Sequence, residues 1–453
     1  MSISRFGTSH MYDRTIRNIG KQQAELASQM EHASAGKRVI RASDDPVAAA
    51  QAERARTRLS RIETDQRQLE AQKATITYAE STLGEINGAM QDFRGLLVQA
   101  GNGSYNQTQR DTLVEQLQSL RKQILNYVNR TDSNGLPLFR GLDTNANQPF
   151  PNGGLGIQTG QTNSNAYTIT NSLDGGLAFF SGVTGNGVLS IGVGANNQGT
   201  AHTNVGVITD ADAAYELKES LNTLTQQLQN LQSGGTSLPA SIRLPLSAEI
   251  VFSEDASGAL QYQVRTPSGI KTWDPSTAAA GETEADYPQV VYSESAAAPF
   301  KSGADIQVLG MNITVSGDPK AGDSFQVAAS APQSIFDTLD AAIRTVQTAG
   351  NTDGSTKSAL LTQGLTNSLA EIDTQLNRIS SVRGLAGDLL NQADRMNSSL
   401  LALNEQVESQ RSAAEDIDAV AALSQLKTQE TAVSAALQSY ASIQKLSLFN
   451  YIG

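Results

Sequence analysis

A mainly α fold is predicted, in which both chain ends form a long antiparallel coiled-coil or helical rod around a central β-rich insert. Three features predict it: where the prolines fall, how the aliphatic residues are spaced, and where the charge sits. Eleven of the twelve prolines lie from Pro137 to Pro332, and the exception is Pro46. Proline costs about 3 kcal/mol inside a helix, so the two proline-free flanks are open to long helices. The segment from Pro137 to Pro332 carries 17 Asp+Glu against 7 Lys+Arg, a balance of −10 out of the chain's net −12. The flanks are therefore close to neutral and pack without mutual repulsion, whereas an acidic middle argues against nucleic acid and anionic lipid as partners.

The aliphatic spacing in both flanks is that of a heptad. Near the start, Tyr12, Ile16, Ile19, Gln23, Leu26, Met30 and Ala33 alternate steps of four and three. After Pro46 the beat resumes at Leu59, Ile62, Gln66, Leu69, Lys73, Ile76, Glu80 and Leu83, then drifts through Ile86, Met90, Phe93 and Leu97. One helix from Val47 to about Gln99 would be about 80 Å long. Leu113, Leu117, Leu120, Ile124 and Tyr127 predict a shorter helix folding back along it. The other flank carries Leu365, Leu369, Ile372, Leu376, Ile379, Arg383, Ala386, Leu390 and Ala393, followed by Leu400, Leu403 and Val407. A last seam runs through Leu423, Leu426, Glu430, Val433, Leu437 and Tyr440. Seams sustained at this spacing predict coiled-coil packing; ordinary amphipathic helices in a bundle are the alternative.

The centre reads as short strands and turns. "LAFFSG" and "VLSIGVG" are apolar runs in a Gly/Asn/Thr-rich context. "EIVFSEDASGALQYQV" predicts two strands with the turn at Asp255–Gly258, and "DIQVLGMNITVSG" and "DSFQVA" add more. One helix is expected over 211–232, seamed by Leu217, Leu221, Leu224, Leu228 and Leu231. The expected organisation is a terminal helix over 1–36 that pairs with another over 417–453, rod halves over 37–139 and 333–416, and a β-rich surface insert over 140–332. Lone terminal helices of this length are marginal in water, so the two ends are expected to order on assembly.

Most chemistry is excluded by composition. The chain has no Cys and three scattered His, His10, His32 and His202. That leaves no disulfide, thiolate ligand or Cys nucleophile, and little basis for a zinc site or a His-based triad. "GVGANNQG" places its third Gly too late for a dinucleotide fingerprint, and "TDADAAYE" lacks the Gly and later Glu of a calcium loop. No catalytic, metal or cofactor-binding residues are assigned, and no cofactor is expected. No run approaches the length of a membrane span, and the start lacks the apolar core of a signal peptide.

The adjacent acids in "SAGKRVIRASDDPVAAAQA" (34–52) are the nearest thing to a catalytic pair, but they read better as punctuation. Gly36 suits the left-handed position after a helix end. Asp45 is a good N-cap, and Pro46 fits the first helical position. Asp44 adds negative charge at the positive end of the helix dipole. Lys37, Arg38 and Arg41 are expected on a solvated loop face or in salt bridges to a neighbouring subunit.

The same residues carry a resemblance. "SAGKRVIRASDDPVAAA" resembles the S-G-K-R-I…A-S-D-D-P-A stretch of the flagellin family, and "SQLKTQETAVSAALQSYASIQKLSLFNYIG" is similar to that family's closing helix. "GLPLFRG" (135–141) resembles the family's turn leaving the rod, with Arg140 where Ser is usual, and "GMNITVSGDPKAGDSFQVA" a strand pair of its hook-associated members. Residues 145–300 resemble nothing recognisable.

The resemblance implies a non-enzymatic part of the bacterial flagellum, extracellular and exported unfolded through the flagellar type III apparatus with the aid of a cytoplasmic chaperone. The hook-associated likeness further implies a ring of copies between hook and filament, with the first junction protein on the hook side and flagellin on the other. Neither nucleic acid nor membrane insertion is implied. The assembly interface is expected at Ile16, Ile19, Leu26, Met30, Leu423, Leu426, Val433, Leu437 and Tyr440. Small residues beside it (Ala27, Ala33, Ala422, Ala432, Ala436) would allow close packing with some sliding. A divergent flagellin is the nearest rival; an enzyme or an adhesin lodged in the insert would belong to other classes.

Overall fold

The computed structural model describes residues 8–140, 172–274, 276, 283–350 and 355–452, side chains within 8–12, 349–350, 355–358 and 443–452 excepted. The side chain of Tyr12 and residues 141–171 of the expected insert thus lie outside what is described. Two compact units are formed, one from the residues up to Ala71 and from Gln392 onward, the other from the described residues between Gln72 and Asn391.

The flanks are helical. α1 spans Thr8–Ala35, α2 Pro46–Ala100 and α3 Gln107–Val128; after the centre come α6 (Ile335–Gly350), α7 (Ser355–Glu415) and α8 (Ala419–Ile452). The heptad is sharper in the structure than in the sequence. On α2, Ala48, Ala55, Ile62, Leu69, Ile76, Leu83, Met90 and Leu97 are all buried, each seven residues from the last. On α7 the same holds for Leu365, Ile372, Ile379, Ala386, Ala393, Leu400, Val407 and Ala414. The two rows run in opposite chain directions. Arg383 reaches Glu80, and Arg94 binds both oxygens of Asp373 at 2.7 and 3.2 Å. The polar interruptions Gln66, Lys73 and Glu80 are only half-buried, so they cost little while the row beside them is sealed.

In the second unit α3 packs on α6. A capping box of Asn106 and Gln109 starts α3, and Arg121 grips Asp340 of α6 at 2.5 and 2.8 Å. "GLPLFRG" turns where Asp132 accepts the N–H groups of Asn134 and Leu136, which buries Leu138 and Phe139. One sequence expectation fails here. "LAFFSG" begins as a helical turn, α4 (Gly175–Phe179), and not as a strand. Asp174 caps it by accepting the Gly176 N–H at 2.8 Å, and Phe179 lands edge-on against Phe139, with ring centroids 5.2 Å apart. Local capping and one aromatic contact thus outweigh the β propensity of two phenylalanines.

The β-rich centre comprises β1 (Gly182–Val183), β2 (Leu189–Val193), β3 (His202–Thr203), β4 (Val207–Ile208), α5 (Ala211–Ser233), β5 (Ser247–Glu254), β6 (Leu260–Lys271), β7 (Gln289–Glu294), β8 (Ala298–Pro299), β9 (Asp305–Val308), β10 (Met311–Ser316), β11 (Ser324–Ala329) and β12 (Pro332–Gln333). All pairings are antiparallel. One sheet has the order β2-β11-β5-β6-β7, with β8 also on β6; a second has β3-β10-β4, with β9 also on β10; and β1 pairs with β12. Alternation places Ala248, Ile250 and Phe252 of β5 and Met311, Ile313 and Val315 of β10 in one core with the Leu217–Leu228 stripe of α5. Leu83→Ala in α2 is expected to cost about 2–5 kcal/mol, because that side chain is fully buried. Leu401→Ala, half-exposed on α7, is expected to stay within about 0.5 kcal/mol. Denaturant unfolding followed by circular dichroism checks both.

Candidate functional site

The first unit contains the features on which any assembly role turns: the α1/α8 pair and the elbow that joins it to α2 and α7. α1 ends in a Schellman turn. Gly36 has φ +66°, its N–H reaches Ala33 O at 3.4 Å, and the Lys37 N–H reaches His32 O at 3.1 Å. The connector then binds the end of α7. Arg38 N–H donates to Glu415 O at 2.7 Å, Ile417 N–H donates to Gly36 O at 3.1 Å, and Lys37 forms a bridge with Asp416.

At the start of α2, Asp45 Oδ1 accepts the N–H groups of Val47 and Ala48 at 3.1 and 3.0 Å, with Pro46 in the first turn. Asp44 acts elsewhere than on the helix end. Its Oδ2 accepts the N–H groups of Ile40 and Arg41 at 3.1 and 2.8 Å and so closes the connector loop. Both carboxyls are held below their ordinary values, Asp44 by the Arg41 N–H and Asp45 by the Ala48 N–H and then Arg38. An acid/base pair needs one carboxyl pushed up; these two are both pulled down.

The elbow closes on Glu415, whose side chain is almost wholly enclosed. Lys37 meets Oε1, which Arg56 also reaches at 2.5 Å, while Arg411 meets Oε2 at 3.1 Å. Burial alone would push this carboxyl up, but the hydrogen bond from Lys37 and the charges of Arg56 and Lys37 hold it below its usual value. Arg38 spans Asp45 and the Ala414 carbonyl, and Arg41 reaches Glu31 at 2.7 Å. The three basic residues expected on a solvated face or against a neighbour therefore have partners within the chain. Sequence reading missed Glu415, which is separated from Lys37 by the whole insert. It also missed Asp418, which caps α8 by accepting the N–H groups of Val420 and Ala421; the signal was an Asp just before the helix.

α1 packs along α8, and Gln429 donates to Glu25 at 3.1 Å. The positions turned inward on α1 are Ile19, Gln22, Leu26, Gln29 and Ala33; on α8 they are Ala422, Leu426, Gln429, Val433, Ala436 and Tyr440. Only Val433 among them is fully buried, and Gln22 Oε1 and Gln29 Oε1 are enclosed without a donor. The expected interface residues therefore divide. Ile19, Leu26, Leu426, Val433 and Tyr440 belong to the face between the two helices. Ile16, Met30, Leu423 and Leu437 lie outside it, 52, 50, 60 and 44 % exposed. These four sit fourteen residues apart in pairs, which puts Ile16 and Met30 on one stripe of α1 and Leu423 and Leu437 on one stripe of α8. Val420, not anticipated, is 81 % exposed beside Leu423. Among the described residues no group of three or more His, Asp or Glu side chains is placed to hold a metal ion, and no helix is long and apolar enough to cross a membrane.

The elbow should respond to acid in a definite direction. Asp44, Asp45 and Glu415 have lowered values, so their contribution is present above the ordinary carboxylate range and is lost as pH falls through the lowered values. Amide protection over 36–48 and 411–418, corrected for intrinsic exchange rates, is expected to fall in acid, and Glu415→Gln to show part of that loss already at neutral pH. Gly36→Ala is expected to cost about 1–2 kcal/mol for its left-handed backbone, read as a lower unfolding midpoint.

Known proteins share both the sequence and the architecture. Residues 6–144 match the family model of the bacterial flagellin N-terminal helical region. The chain is 35% identical over 184 residues to flagellar hook-associated protein 3 of Escherichia coli (strain K12), covering 40% of this chain and 55% of that protein. It is 27% identical over 155 residues to flagellin of the same strain, covering 34% and 29%. The matched segment spans about half the length of the hook-associated relatives. Among solved structures, the flagellar junction protein FlgL from Legionella pneumophila is similar at a TM-score of 0.57 and 26% identity, covering 76% of this chain and 99% of that one. Residues 6–144 thus carry the bacterial flagellin N-terminal helical region, and the fold of the chain is similar to that of FlgL.

Proposed function

We propose that this chain is a non-enzymatic structural adaptor of the bacterial flagellum, joining hook to filament by assembling into a ring through α1 and α8. The observation that carries this reading is the unpartnered second stripe on each terminal helix. One heptad face is spent between α1 and α8, while Ile16, Met30, Val420, Leu423 and Leu437 keep apolar surface in water. A helix pair with a spare heptad stripe is built to take further helices, and further copies of the same chain supply them. The relatives named as hook-associated and junction proteins support the location.

In this reading the hook side meets the first junction protein and the filament side meets flagellin. A cytoplasmic chaperone covers the terminal helices before export through the type III channel, and the mature protein is extracellular. Ala33, Ala422 and Ala436, half-buried between the helices, allow close approach and small sliding between a flexible hook and a stiff filament.

Labelling the protein on purified flagella distinguishes the readings: signal confined to the hook–filament boundary is expected. Signal along the whole filament would favour a filament subunit, a second reading that the flagellin match supports. Ile16→Glu combined with Leu423→Glu is expected to leave the monomer's unfolding midpoint unchanged, since both side chains are more than half exposed. The same pair is expected to abolish incorporation at the hook tip and shed flagellin into the medium. Normal incorporation would overturn the role of the stripe.

A further inference from the structure

In the second unit, α7 does more than carry its apolar row. Gln363, Asn367, Glu371 and Gln375 recur every four residues, so they share one stripe of the helix, and each reaches the backbone of the β-rich centre. Gln363 Oε1 accepts the Thr203 N–H at 2.6 Å, and Asn367 Nδ2 donates to Ile191 O at 2.8 Å. Glu371 Oε1 accepts the Gly185 N–H at 3.4 Å, and Gln375 Nε2 donates to Gln333 O at 3.4 Å. Gln363 and Asn367 are also bonded to each other at 3.1 Å. The approach is close: a Cβ at Gly182 would lie on top of Gln375 Nε2. The centre is thus held to α7 by a polar ladder, which fixes its register more sharply than apolar contact would.

One rung is anomalous. Glu371 and Gln375 are 9 % and 1 % exposed, and the Oε1 atoms of Gln375 and Gln333 are enclosed with no donor. The cluster around Glu371 is therefore rich in acceptors, two of which lack a donor. Nor, among the described residues, does any charge act on it. The 182–189 turn contains no charged residue. Asp373, next along α7, is taken by Arg94, and Asp337, just beyond β12, by Ser334. Glu371 accepts bonds from the Gly185 N–H and the Gln333 side chain, but as a carboxylate it would leave both orphaned oxygens without a donor, whereas a carboxylic acid would supply an O–H to one of them.

We propose that Glu371 docks the β-rich centre onto α7 as a neutral carboxylic acid, donating its proton to an orphaned amide oxygen of Gln375 or Gln333, so that this attachment is a proton-dependent latch. Burial pushes the Glu371 carboxyl above its ordinary value, against the lowering effect of the Gly185 N–H and Gln333. A raised value makes the latch strongest in acid and weaker as pH rises through it. That direction is opposite to the elbow's, so the two effects separate in one titration.

The test is amide exchange in the full chain, corrected for intrinsic rates and read over 182–203 and 330–334. Wild type is expected to open more readily at about pH 8 than at about pH 4, by on the order of tenfold for each pKa unit of the shift. Glu371→Gln, which supplies an N–H donor at every pH, is expected to remove that dependence and to be the better protected of the two at the higher pH. Identical profiles for wild type and variant would overturn the latch. So would a variant less protected at every pH, or wild-type protection restored by added calcium, since both would mean that the site needs the anion. If the variant does not fold, infrared spectra of wild type labelled with carbon-13 glutamate decide: a protonated carboxyl band persisting above the ordinary range supports the latch, and its absence overturns it.

Discussion

The structure depends on two matched rows of buried side chains at strict seven-residue spacing, one on α2 and one on α7. A straight α-helix drifts by about 20° per heptad, so within each unit a row kept buried at this spacing favours helices that wind about their neighbours. In each unit the rows are flanked by ion pairs between the same helices, Arg56–Glu415 in one and Arg383–Glu80 and Arg94–Asp373 in the other. The two pairs of the second unit, open to water, contribute little to stability. Their value lies in register, because a slip by one turn would strand every one of them. α3 and α6 pack on each other in the second unit, and the β-rich centre docks on the polar stripe of α7.

The elbow and the terminal pair sit at the other extreme of packing. Glu415 gathers three basic side chains while its carbonyl receives Arg38 and Val39 N–H groups. That combination fixes the connector rigidly. Beyond it, the face between α1 and α8 contains Gln22, Gln29 and Gln429 among its inward positions and only one fully buried apolar side chain. Helices so weakly sealed take most of their stability from whatever covers their other faces. A firm joint followed by an incomplete helix pair is the arrangement that the proposed assembly calls for.

Much of the helical framework was legible because its signals are local or periodic. Leu69, Ile76 and Leu83 announce their row by spacing alone, and Asp45-Pro46 marks a helix start through the chemistry of two adjacent residues. The paired face of α1 was not legible, because Ile16/Met30 and Ile19/Leu26 lie on neighbouring stripes of equal apolar character. "LAFFSG" misled because its aromatic content favours a strand, while Asp174 and a distant phenylalanine select a helical turn. The ladder on α7 was hidden beside a strong apolar seam, where Gln, Asn and Glu read as a solvated flank.

The sequence alone determined where helices run and where they break, and it carried the resemblance to the flagellin family. Each follows from spacing, residue type or the sterics of proline and glycine, which act within a few residues. Only the tertiary structure decided what faces what. Lys37 and Glu415 are 378 positions apart, Thr203 and Gln363 are 160 apart, and no local preference encodes such pairings. They arise once the α2 and α7 rows bring distant parts of the chain together, at which point enclosed polar groups must find partners far along the chain, as Glu371 finds the Gly185 N–H.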